Sequence, residues 1–218
     1  MQLITLYTFA EATCFFVALY CLRGEGWNTW GLQRAYLAVV LVTELTGTHL
    51  RETAANNLPL YNSFILIECV VVSILLSRFL QPLIKWSIKP WLRGWLGLFG
   101  VVWVAEWTTS TAEYVYLNYS VVLMSVAFIF TCGYYFYRLL ATTPYRYINR
   151  HAPFWWVSGA AIFYFGGLAT NLVLDLLIHR PVKVGSLFLH EIISQVLSLA
   201  LYGLWAYSYI IRYRHPNS

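Results

Sequence analysis

Apolar runs of about 20 residues recur from one end of this chain to the other, the spacing a helix needs to cross a bilayer. One packed core does not require so many. The composition agrees: 60% of the 218 residues are hydrophobic and 11% are charged, against roughly 25% charged in a soluble domain. The expectation is an all-α polytopic membrane protein, one domain over 1–218 with seven transmembrane helices.

The runs cover Leu3 to Leu22, Leu32 to Leu50, Tyr61 to Leu80, Trp91 to Ser110, Glu113 to Arg138, Phe154 to Ile178 and Ser186 to Tyr213. Asn56-Asn57-Leu58-Pro59 reads as a loop, and Pro82 breaks the third run. Pro153 suits the first turn of the sixth. The first run lacks a basic start and a small-residue cleavage site, so it reads as a retained helix rather than a signal peptide. Gln81 to Pro90 fits either a short interfacial helix or a plain loop. The abundant aromatics, including Tyr134 to Tyr137 and the Trp155-Trp156 pair, read as interfacial belts. Cys14, Cys21, Cys69 and Cys132 lie in apolar stretches without CxxC spacing and read as small apolar filler.

Positive charge assigns a direction. Eleven of the fourteen basic residues fall on the side of the links after runs one, three and five and of the tail. The expected orientation is an outward N-terminus and a cytoplasmic C-terminus. The implied location is a bacterial inner membrane or a plasma membrane. Nucleic acid is a poor partner, because the basic residues form no continuous patch.

Six acidic residues interrupt the apolar runs: Glu11, Glu44, Glu68, Glu106, Asp175 and Glu191. In the seven-span arrangement all six fall at one depth, in the outer half. Carboxylates in such positions are costly and often functional. Helical spacing extends them into stripes: Asn171, Asp175 and His179 on the sixth run; Glu191, Gln195, Ser198 and Tyr202 on the seventh. Glu44 and Arg51 lie seven apart, within pairing reach. The expected ligand-binding set is therefore Glu11, Glu44, Glu68, Glu106, Asp175, Glu191, Asn171 and Gln195. Ionised together these carboxylates repel one another, so they call for protons, basic partners or a bound cation.

His49, His179 and His190 lie toward the same mouth and are the candidate metal ligands, with zinc or another divalent cation as the metal. No HExxH spacing supports them, and His190 and Glu191 diverge by about 100° on a helix.

These features point first to a membrane receptor or sensor, a signalling module that binds a polar ligand or cation in an outward pocket. Its partners would be membrane lipids, the small ligand and a membrane or cytoplasmic protein. Three alternatives stand beside it: an intramembrane metal hydrolase, an ion or proton transporter, and a structural subunit of a membrane complex. The helix count and a histidine in the last run resemble the seven-helix zinc hydrolases of lipid amides. That resemblance implies a paired His-x-x-x-His in the last helix, but Ser194 stands four residues after His190. A retinal protein is disfavoured, because Lys85, Lys89 and Lys183 all lie in links.

Overall fold

A computed structural model describes residues 6–53, 55–109, 116–142, 145–179, 183–184 and 187–215, with side chains described for these except 6–7, 145–147 and 172–191. Among the described residues the chain forms seven α-helices: α1 Leu6–Cys21, α2 Thr29–Glu52, α3 Leu58–Leu80, α4 Lys89–Thr109, α5 Asn118–Thr142, α6 Ala152–His179 and α7 Leu189–Arg214. Lys183–Val184 and Leu187–Phe188 pair as a minimal antiparallel hairpin between α6 and α7.

Local chemistry sets several boundaries. Asn28 starts α2 because its side-chain oxygen accepts from the Trp30 and Gly31 amides, each at 3.0 Å. Pro59 occupies the first turn of α3, where its missing N–H costs nothing. Gln81–Leu83 is one 3-10 turn. The loop after it is tied by the Gln81 amide, which donates to the Trp86 carbonyl and accepts from the Ile88 N–H, both at 3.1 Å. The alternative of an interfacial helix over this segment is thereby resolved in favour of a loop.

Sequential neighbours α1–α2–α3 continue through α5, α6 and α7, and α7 packs back on α1. This closes a ring of helices, with α4 packed against α3 and α5. Gly166 lets α6 and α7 approach, since a β-carbon there would overlap the Leu197 side chain. At one level of the ring the core is aromatic. Trp156 of α6 stacks on Trp205 of α7 at 4.8 Å between ring centres. Phe79 touches Trp156, and Trp30 touches both Phe79 and Tyr209. Trp156 is fully buried and Tyr135 nearly so, so neither is a belt residue. Large apolar side chains, Phe9, Phe16, Phe130 and Phe165 among them, remain exposed on the outer faces.

The structure corrects the seven-span membrane reading. Among the described residues two stretches, Leu58–Leu83 and Asn118–Thr142, are long and apolar enough to cross a membrane, and the apolar Thr8–Cys21 is shorter. The helix count was right, but among the described residues the other helices do not meet the length and apolarity of a span, and several polar side chains bond across the bundle. Trp95 donates to Ser73, Trp205 to the Trp156 carbonyl and Ser208 to the Ala152 carbonyl, at 2.8–3.1 Å. An apolar run long enough to span is equally a run long enough to pack. The outward N-terminus, cytoplasmic C-terminus, lipid partners and membrane location all depended on the span count and fall with it.

Candidate functional site

Inside the ring lies a cavity of about 200 Å³. Its lining includes Glu11 from α1, Thr43 and Glu44 from α2, Glu68 from α3 and Tyr202 from α7. Aromatic side chains complete it: Tyr36, Tyr61, Phe64, Tyr116, Phe163, Tyr164 and Trp205. Among the described residues no lysine, arginine or histidine lines it.

Helical register delivers these groups. Tyr36, Val40, Thr43 and Glu44 recur at the three-to-four-residue spacing that keeps one face of α2 inward, as do Tyr61, Phe64 and Glu68 on α3. Gly47 sits one turn beyond Glu44, and a β-carbon there would overlap the Tyr61 ring. The missing side chain lets Tyr61 lie against α2 and donate to Glu44 Oε2 at 3.2 Å. Thr48 donates to Glu44 Oε1 at 3.4 Å. The Tyr164 hydroxyl donates to Glu68 Oε1 at 2.8 Å, and Tyr202 donates to Glu11.

Glu11 is 7% exposed, and its Oε2 is buried without a hydrogen-bond partner. Burial pushes its carboxyl up to about 8; Glu44 adds to the rise, and the Tyr202 bond opposes it. Burial also lifts Glu68 to about 7 against the bond from Tyr164. Burial and the neighbouring carboxylates hold the Tyr36, Tyr164 and Tyr202 phenols well above their usual range, so they remain protonated donors. Among the described residues the carboxyl groups therefore meet neutral hydroxyls instead of basic partners.

A second cavity of about 290 Å³ adjoins the first and shares Glu68, Tyr116, Phe163 and Tyr164 with it. Met124, Ser125, Gly167, Asn171, Leu197 and Ser198 are among its other lining residues. A third, of about 240 Å³, lies between α3, α4 and α5 and is lined mainly by apolar groups such as Leu76, Trp91 and Phe128. It has no titratable group, and its Ser73 hydroxyl is taken by Trp95, so it offers little chemistry.

The expected site is thus partly assembled. Glu11, Glu44 and Glu68 converge, and Asn171 lines the adjoining cavity. Glu106 departs from the set. Its carboxylate accepts from the Tyr119 and Ser120 amides at 2.9 and 2.8 Å and from the Ser120 hydroxyl at 2.6 Å. It is a buried cap on the first turn of α5, where a negative charge meets the positive helix end. Gln195 is half-buried and lines neither carboxylate cavity. The side chains of Asp175, His179, His190 and Glu191 lie outside the described residues. Glu44 bonds Tyr61 and Thr48, while Arg51 is exposed. Among the described residues the ion pair is Arg212 with Glu25 at 2.9 Å.

His49 is exposed at the end of α2, and among the described residues no group of three His, Cys, Asp or Glu side chains is placed to hold a metal. That corrects the metal-binding reading. The receptor or sensor reading is also corrected, together with its hydrolase, transporter and membrane-subunit alternatives. Each required an oriented seven-span bundle, a metal cluster, or both, and neither is found among the described residues.

Tyr36, Tyr61, Tyr164 and Trp205 were not singled out from the sequence. Stepping back along α2 and α3 from Glu44 and Glu68 by whole helical turns would have found Tyr36 and Tyr61. Asn62 was also missed. It is fully buried, accepts from the Leu117 N–H at 3.2 Å, and its carbonyl accepts from Trp103 at 3.0 Å. It thereby anchors the segment that carries Tyr116. No family model, curated protein or solved structure matches this chain, so the reading of the site rests on its own geometry.

Proposed function

We propose that this chain is a binding module for a small organic cation, held in the cavity between Glu11, Glu44 and Glu68. The observation that carries the reading is the buried, unpartnered Oε2 of Glu11 in a cavity that, among the described residues, is lined by three carboxyl groups and no basic side chain. Without a cation, burial favours the protonated form of Glu11 and Glu68. An ammonium group supplies the missing charge and exchanges for a proton. The tyrosine and tryptophan rings favour a cation over a neutral solute, because cation–π contacts contribute about 0.5–2 kcal/mol each. The hydroxyls of Tyr61, Tyr164 and Tyr202 hold the carboxylates in place and leave their remaining lone pairs for the ligand.

Calorimetric titration of the purified chain with tetramethylammonium, beside its neutral near-isostere tert-butanol, tests the reading. Saturable binding of the cation alone is expected, with proton release near pH 7 revealed by buffers of different ionisation enthalpy. Glu11→Gln and Glu68→Gln should each weaken binding about tenfold, or about 1.4 kcal/mol. Equal binding of the two solutes, or no binding of the cation, would overturn it.

A further inference from the structure

We infer that the ligand is an extended amine, with its ammonium among Glu11, Glu44 and Glu68 and an uncharged, hydrogen-bonding chain in the adjoining cavity. This inference rests on the cation reading above and adds the class of ligand.

Glu68, Tyr116, Phe163 and Tyr164 line both cavities, so a second volume lies beside the carboxylate that would hold the ammonium. The chemistry changes across that boundary. Glu11 and Glu44 belong to the first cavity alone, and among the described residues Glu68 is the one charged group lining the second. Beyond it the lining alternates neutral polar groups, Ser125, Asn171 and Ser198, with apolar Met124 and Leu197. A purely aliphatic chain would leave the Asn171 amide facing hydrocarbon, at a cost of about 1–3 kcal/mol. A chain with methylenes and a terminal hydroxyl matches both kinds of wall.

Gly167 offers a selective block. It lines the second cavity only, and a β-carbon there meets nothing within 4 Å. Gly167→Leu therefore fills the second cavity without a backbone clash, and Asn171→Leu is an independent change in the same chamber.

The test titrates ethylammonium, hexylammonium and aminohexanol against the full chain and both variants. Aminohexanol should bind about tenfold more tightly than ethylammonium and more tightly than hexylammonium. Gly167→Leu should remove that advantage and leave ethylammonium binding unchanged, and Asn171→Leu should erase the preference for the hydroxyl. If ethylammonium binds and the longer amines gain nothing, the extended-ligand inference fails while the cation reading stands. A gain that persists in Gly167→Leu overturns it as well, because the chain then lies elsewhere. If hexylammonium equals aminohexanol, the hydrogen-bonding chain is wrong. Failure of all three amines to bind removes the cation reading and this inference with it.

Discussion

The Tyr164 hydroxyl donates to Glu68 Oε1 across 2.8 Å, joining α6 to α3 between residues 96 apart in the chain. Both residues stand at the boundary of the two cavities. The bond therefore sets the position of the carboxylate that the two chambers share. Tyr164→Phe keeps the ring, which packs on Phe128 at 4.8 Å between centres, and deletes the donor. Denaturant unfolding should show a loss of about 1–3 kcal/mol, the cost of a part-buried acceptor left unpaired.

Glu11 makes stability depend on pH. Its folded-state value lies above the ordinary 4.5, at about 8. Between those values the folded chain holds a proton that the unfolded chain releases. Stability from this group is therefore present at low pH and declines as pH rises from 4.5 to 8, by an amount on the order of 5 kcal/mol. Glu44, Tyr202 and Cys14 face it: Glu44 adds to the rise and the Tyr202 bond opposes it, while the Cys14 thiol and the Tyr202 phenol are themselves raised and stay protonated across this window. Glu11→Gln should flatten this limb of the curve, and its stability relative to the parent should rise with pH. Parallel curves for the two proteins would contradict the assignment.

Gly47 positions Tyr61. Because the clash falls on the hydroxyl end of the ring, Gly47→Ala forces Tyr61 to swing away from Glu44. The expected loss is about 1–3 kcal/mol, together with weaker tetramethylammonium binding. Gly47→Ala combined with Tyr61→Phe should cost less than the sum of the single changes, since both break one bond. Additive losses in the double-mutant cycle would refute the positioning role.

Glu106 supports the fold and lies outside the carboxylate cavity. Glu106→Ala removes three bonds to the first turn of α5 and should lower stability by about 2 kcal/mol. Tetramethylammonium affinity measured well below the unfolding midpoint should not change. A selective loss of affinity in a fully folded Glu106→Ala protein would return this residue to the site.

Some of this was legible in the residues themselves. Acidic side chains in otherwise apolar helices announced a buried polar centre, and Glu11, Glu44 and Glu68 do meet there. Glu106 looked identical to them by the same signal. Its role depends on where the start of α5 comes to rest, twelve and more residues later in the chain. The tyrosines escaped notice because their phenols are common surface and belt groups, and only inward register makes them cavity walls. The membrane assignment failed because, among the described residues, two stretches rather than seven are long and apolar enough to span.

By itself the sequence determined an all-helical chain, close to the helix limits that Pro59 and Pro153 help to mark, and the presence of carboxylates that apolar surroundings must accommodate. Those outcomes follow from short-range periodicity and from the intrinsic cost of burying charge. Tertiary structure alone decided which carboxylates share a chamber, which one caps a helix, and that hydroxyls rather than cations face them. Such choices are set by contacts between helices far apart in the chain, whose rotation and neighbours no local pattern encodes.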